Sequence, residues 1–450
     1  MSCSSDSCRS AARSLLDFID RSPSPWHAVA SMATELESNG YKALEESERW
    51  HLVPGGRYFV TRDGSALIAF QIGSAPLAEM GFRLIGAHTD SPGLRLRPHA
   101  AQSSEGWLRL GVEIYGGPIL ATFADRDLGL AGRVVVREGG GGGERTVTRL
   151  LNFDQPLLRL PNLAIHLNRE VNEQGLKFQK QNELPLLAAQ LQGEAVAETC
   201  FQSHLAARLA VDPSAILAWE LQAYDTQPGA FWGLDQRFIA HRQLDNLASC
   251  HAALSALLAL DAQVGPTALV AFFDHEEVGS ESATGAAGSF LQAVLARLFA
   301  QAGPAGGALD EEDRQRSLAR SFFVSTDMAH AWHPNFPSAH EPCHRIQVNG
   351  GPAIKTHASQ RYATGATGAA RFLAACDAAG VPCQQYSHRA DLGCGSTIGP
   401  ILAARMGISG VDVGSPMRSM HSARESAGAE DQAYLIAALR EVLRSTDIAC

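Results

Sequence analysis

The 450-residue chain contains no uninterrupted apolar segment long enough to cross a bilayer. Its first residues, Met1-Ser2-Cys3-Ser4-Ser5-Asp6, lack the basic-then-apolar order of a secretory signal. Both absences predict a cytoplasmic protein with no membrane partner. The nine cysteines include no Cys-x-x-Cys pair, which argues against a disulfide framework and against a cysteine zinc site. A basic excess is missing too: 37 Lys and Arg against 47 Asp and Glu leave a formal net charge of -10. That sign is wrong for gripping a phosphate backbone, so nucleic acid is not an expected partner. No Gly-x-Ser-x-Gly elbow occurs, which lowers the case for a serine hydrolase. His275-Glu276-Glu277-Val278-Gly279 starts like a single-zinc protease helix but lacks a histidine at its fifth position.

What is present is a globular composition, 45% hydrophobic, in a chain long enough for two or three domains and a large core. Ala268 to Phe273 is a short apolar run that breaks into Asp274-His275-Glu276-Glu277, reading as a strand buried on both faces with charge at its carboxyl end. The pattern recurs. Phe82 to Ala87 runs into His88-Thr89-Asp90, Ser321 to Thr326 runs into Asp327, and Gly407 to Gly414 leads through a short loop to His421. Leu244-Asp245-Asn246-Leu247 opens an Ala/Leu helix, where Asp245 is expected as the cap. Ligands of open α/β sheets bind at the carboxyl edge of the strands, so these side chains are predicted to meet there.

Residues from about 10 to 45 have helical spacing interrupted by Arg21-Ser22-Pro23-Ser24-Pro25-Trp26-His27, with His27 expected in surface packing. A hairpin is expected over 57–62 and 66–71. From about 98 to 241 the texture becomes short alternating runs, as in Trp107 to Ile114, and Gly132 to Arg137 with Arg145 to Leu150 across Gly139 to Gly143, read as a flexible hairpin tip. This span is expected as a β-rich domain inserted between 1–97 and 242–450. The run Asp310 to Arg316 reads as a solvated linker or helix start, and Gly393 to Pro400 as a loop able to offer backbone amides.

His88, His421, Asp245, Glu277 and Asp327 form a nitrogen and oxygen ligand set without sulfur, suited to zinc and also to manganese or cobalt. Five ligands are too many for one catalytic zinc with an open position and suit two ions bridged by an aspartate. Two divalent ions, three carboxylates and one bridging hydroxide sum to zero charge, which makes burial tolerable. Glu276, the carboxylate left beside Glu277, is the candidate general base, and Asp90 can orient the His88 imidazole. Taken one at a time, Asp245 could be only a cap, His421 a lone loop histidine and Glu276-Glu277 an exposed turn. Their joint placement at strand ends favours the site.

These residues resemble the M18 metallopeptidases, the aspartyl aminopeptidases. The resemblance runs through Arg21 to His27, Gly86-Ala87-His88-Thr89-Asp90-Ser91-Pro92, Leu244 to Leu247, Glu276 to Ser280, Asp327-Met328-Ala329-His330 and Met420-His421-Ser422. It implies a three-layer αβα zinc-aminopeptidase domain with an inserted, mainly β dimerisation domain. It assigns one metal to His88, Asp245 and Asp327 and the other to Asp245, Glu277 and His421, with Glu276 as base. It also implies substrate contacts from His330, Lys355 and Tyr362, and from His166 reaching into a neighbouring subunit of a dodecamer. By themselves Lys355 and Tyr362 read as ordinary surface residues. The implied activity is removal of amino-terminal residues, with acidic ones preferred, from peptides with a free amino end. A dimetal deacylase of N-acyl amino acids and a non-catalytic shell protein are the competing readings.

Overall fold

The computed structural model describes residues 5–139, 144–303 and 306–446, so residues 140–143 of the expected hairpin tip lie outside it. Two compact units form. One comprises the chain up to Asp90, Gly229–Met420 and the segment from Glu425 onward; the other is Ser91–Pro228 with His421–Arg424.

The first unit is built on a nine-stranded sheet. Its order is Lys42–Leu44, Arg57–Arg62, Ala66–Gln71, Thr267–Phe273, Phe82–His88, Phe322–Thr326, Ser409–Gly414, Ala353–Thr356, Gln384–Ser387. The four strands from Thr267–Phe273 to Ser409–Gly414 are mutually parallel. Continuous apolar sequence is explained by burial on both faces: every residue of Phe82–His88 and of Thr267–Phe273 is buried. Alternation then divides them. Ala268, Val270 and Phe272 join one core with residues of the helices Ser5–Asp20, Pro25–Ser38, Leu244–Leu258 and Asp431–Arg444. Leu269, Ala271 and Phe273 join another with the helices Phe290–Phe299 and Ile398–Met406. The result is the expected αβα layering. A smaller five-stranded sheet in the same unit pairs Ala230–Trp232, Phe238–His241, Glu425–Gly428, Pro416–Arg418 and Ala329–His330 in that order.

The second unit is a six-stranded antiparallel sheet ordered Arg145–Asn152, Leu128–Glu138, Ile216–Asp225, Gly93–Ser104, Trp107–Tyr115, Leu186–Gln190. It has a core of its own, in which Leu94, Leu110, Val134 and Leu221 meet Phe201 and Leu205 of the helix Ala197–Leu209. The strand Gly93–Ser104 belongs wholly to this unit because both its neighbours do.

His27 is half-buried: Ser24 caps the helix Pro25–Ser38, the His27 ring lies 2.7 Å from the Ser24 hydroxyl, and burial pushes the imidazole down to about 4. One local expectation needs correction: Asp245 is not the cap of its helix. Gln243 takes that position in the left-handed region, and Asp245 sits inside a non-helical first turn (φ -83°, ψ 105°). The acidic run resolves as a helix start, with Asp310 accepting from the Asp313 amide at the head of Glu311–Ala319. Cys200, Cys250, Cys343, Cys376, Cys383 and Cys394 are free thiols, and Cys8 is disulfide-bonded. Among the described residues no helix is long and apolar enough to cross a membrane.

Candidate metal centre

Parallel register brings the strand ends level. Phe273 pairs with His88, and Ser325 pairs with Gly86, so Asp327 and the Glu276-Glu277 turn both arrive beside His88. Asp327 is tied to the next strand by its amide, which donates to the Val413 carbonyl at 2.9 Å. Gly414 permits the approach: a Cβ there would lie 1.8 Å from the Asp327 carbonyl oxygen. From the helical side, the Asp245 amide donates to the Glu425 carboxylate at 3.0 Å and the Asn246 side chain donates to the Thr326 carbonyl at 3.0 Å.

The side chains converge on one imidazole. His88 Nε2 lies 3.7 Å from Asp245 Oδ1, 3.5 Å from Asp327 Oδ1 and 4.0 Å from Glu276 Oε2. Two groups have ligand atoms close enough to hold an ion: His88 with Glu276 and Asp327, and His88 with Asp245 and Glu277. Glu276, read as a base from the sequence, is therefore also within ligand reach. Asp90 does more than face His88, whose Nδ1 lies 3.0 Å from its carbonyl and 3.4 Å from its carboxylate. Its two carboxylate oxygens accept the amides of Glu276 and Glu277, each at 3.1 Å, and so fix the turn that carries both glutamates.

The charge balance shows what the cluster can take. Burial, aided by Asp327, Asp90 and Asp245, pushes Glu276 up to about 8 against the pull of His88. Burial and Asp245 hold Glu277 well above the usual carboxylate range. His88 would be lowered by its burial, but Glu276, Asp327 and Asp90 outweigh that and raise it well above the ordinary imidazole value. Burial works to raise Asp327, yet Lys355 and His88 prevail and hold it low. Five carboxylates, Asp90, Asp245, Glu276, Glu277 and Asp327, thus crowd a site whose cationic neighbours are Lys355 and His88. Hard oxygen donors with an imidazole and an excess of negative charge fit divalent ions of the zinc, manganese and cobalt type.

The remaining expected residues fall in several places. His421 belongs to the β-rich unit, where its Nδ1 lies 3.0 Å from the Gly117 carbonyl. His166 is exposed in the same unit. His330 is exposed in the first unit, edge-on to Tyr386 with ring centroids 6.0 Å apart. Lys355 and Tyr362 are not surface residues; they are 2% and 4% exposed. The Lys355 ammonium donates to the carbonyls of Asp327 (3.0 Å) and Met328 (3.3 Å), lies 3.5 Å from the Asp327 carboxylate and 5.0 Å from the Tyr362 ring centre. A lysine is tolerated at such depth because its ammonium is met by oxygens of Asp327 and Met328 in the connection after the strand Phe322–Thr326, which no local pattern reveals. Sequence reasoning also passed over Asn246 and Glu425, whose only trace was polarity inside apolar surroundings.

A model of the family described as Aminopeptidase I zinc metalloprotease (M18) matches residues 18–442. The chain is 47% identical over 438 residues to the "Probable M18 family aminopeptidase 2" of Stutzerimonas stutzeri (strain A1501), spanning 96% of this chain and 98% of that protein. Among solved structures, the cryo-EM structure of the Ape4 and Nbr1 complex is 38% identical, with a TM-score of 0.92 over 99% of this chain and 88% of that one. The structure of the S. cerevesiae mApe1 dodecamer is 25% identical, with a TM-score of 0.82 over 96% of each chain. With a match that runs from the first helix almost to the end of the last, through sheet and insertion alike, the chain belongs to the aminopeptidase I zinc metalloprotease (M18) family.

Proposed function

We propose that this metalloaminopeptidase is a dimetal enzyme that removes amino-terminal residues, acidic ones by preference, from peptides with a free amino end. The observation that supports the reading is the convergence of His88, Asp245, Glu276, Glu277 and Asp327 in two overlapping donor groups, with His88 Nε2 3.7 Å from Asp245 and 3.5 Å from Asp327. His88, Asp245 and Asp327 would hold one divalent ion and Asp245, Glu277 and His421 the other, with zinc first among the candidates and manganese or cobalt suited to the same donors. Bound ions of this kind polarise a scissile carbonyl and activate water at neutral pH. Glu276 takes the proton from the attacking water and gives it to the leaving amine. Asp90, by holding the Glu276 and Glu277 amides, sets where those carboxylates reach.

His330, Lys355 and Tyr362 contact the substrate, joined by His166 from a neighbouring subunit. The unit that runs to Asp90 and resumes at Gly229 acts as the catalytic domain, and the β-rich unit Ser91–Pro228 as the dimerisation and gating insert. The assembly is a cytoplasmic homo-oligomer, a dodecamer as in the S. cerevesiae mApe1 structure. A net negative protein repels acidic peptides at long range, so the attraction for an aspartyl end must be local, and Lys355 supplies it.

The function is tested with a peptide and its amino-acetylated twin. The free-amine peptide is expected to be cleaved and the twin spared; the reverse would make the protein a deacylase. The acidic preference is tested separately. Lys355→Ala is expected to lower the ratio of kcat/KM for aspartyl over alanyl substrates by about tenfold, the scale of a lost charge contact. An unchanged ratio would remove Lys355 from specificity.

A further inference from the structure

Across four neighbouring strands of the large sheet one row of positions is polar. Ser325, Asp412, Lys355 and Tyr386 are successive register partners, and such partners present their side chains to the same face. All four are buried. Asp412 is fully so, between Val411 and Val413, which belong to the apolar core on the opposite face.

The Asp412 carboxylate is held from two directions. It accepts from the Thr397 hydroxyl at 2.6 Å and from the Ala363 amide at 2.6 Å, while the Asp412 amide donates to the Thr364 hydroxyl at 2.9 Å. Thr397 in turn caps the helix Ile398–Met406, accepting from the Gly399 amide at 3.1 Å. Gly399 leaves the room the carboxylate occupies: a Cβ there would lie 2.2 Å from Asp412 Oδ2. Ala363 follows Tyr362 directly, and the Tyr362 ring is the one that packs beside the Lys355 ammonium. Lys355 is the register partner of Asp412 on the adjacent strand, and its ammonium lies 3.5 Å from the Asp327 carboxylate.

We propose that Asp412 is a positioning residue for substrate recognition: it anchors the chain behind Tyr362, whose ring packs beside the Lys355 ammonium. The inference rests on the reading of Lys355 and Tyr362 as substrate contacts. Asp412→Asn weakens the acceptor of the Ala363 amide and the Thr397 hydroxyl and leaves the Gln360 to Thr364 segment, Tyr362 included, more loosely anchored. The acidic preference then weakens although no metal-binding side chain has changed.

The test compares Asp412→Asn, Lys355→Ala and the double variant in the full-length, metal-loaded enzyme, on matched aspartyl and alanyl substrates. Asp412→Asn is expected to keep its metal content and to lower the aspartyl-over-alanyl kcat/KM ratio by about tenfold, chiefly through the aspartyl KM. The double variant is expected to match Lys355→Ala, because Asp412 acts through the Tyr362 ring that packs beside Lys355. An unchanged ratio in Asp412→Asn beside a lowered one in Lys355→Ala overturns the role of Asp412 and leaves the substrate reading standing. Additive losses in the double variant overturn it equally. An unchanged ratio in Lys355→Ala overturns the substrate reading and this inference together. Should Asp412→Asn fail to fold, Thr397→Val, which removes one donor to the carboxylate, decides in its place. It is expected to lower the ratio in the same direction by about threefold, and no change would overturn the proposal.

Discussion

Glu276→Gln is expected to lower turnover by about 10²–10⁴-fold, the usual worth of a general base, while the purified protein retains its full metal content. Glutamine has the shape of glutamate, and the residue's amide would still be held by Asp90 at 3.1 Å. What is lost is the capacity to accept a proton. Steady-state kinetics with a free-amine peptide, paired with elemental analysis of the same sample, checks both halves. Near-normal turnover would refute the base assignment. Loss of metal along with turnover would make Glu276 a ligand instead, which its place in a group with His88 and Asp327 allows.

Removing the metals is expected to abolish activity, and returning zinc to restore it. Stability should change in a pH-dependent way, because the carboxylate crowd loses its counter-charge. In the metal-free protein Glu276 is raised to about 8 from the ordinary glutamate value, and Glu277 is also raised. A folded-state pKa above the unfolded one means that the folded protein binds more protons, so its contribution is full below the unfolded value and is lost as pH rises. His88, likewise raised, acts with the same sign. Asp327 is lowered, and its contribution is lost only on acidification. The metal-free enzyme should therefore lose unfolding free energy between about pH 4.5 and 8, a window in which the zinc-loaded enzyme stays higher. Denaturant titrations of both forms across that range measure the difference. A metal-free protein equally stable at both ends would contradict the charge balance described above.

The central strands of the first unit were readable because they are buried on both faces, which forces continuous apolar runs, and because the runs stop abruptly at charged residues. Phe82–His88 and Thr267–Phe273 are such cases. The residue types of the candidate metal centre were readable for the same reason: His88, Glu276, Glu277 and Asp327 stand where apolar sequence ends. Asp245 was found for its position but given the wrong local geometry, since a capping aspartate and one in a distorted first turn have the same neighbours in the chain. Lys355 and Tyr362 were misread as exposed. Burial of a lysine depends on oxygens supplied by Asp327 and Met328 from the connection after another strand, and nothing within several residues of position 355 announces them.

The amino-acid sequence by itself determined which segments must be strands, which polar side chains end them, and through the resemblance which family the chain joins, because hydrophobic periodicity and donor chemistry are local properties. Only the tertiary structure decided that Phe273 lies beside His88, that Asp90 clamps both glutamate amides, that the buried Lys355 pairs with Asp327, and that His421 joins the β-rich unit. Those facts follow from strand order and register between segments far apart in the chain, and they are set by the packing of whole layers rather than by any stretch of residues.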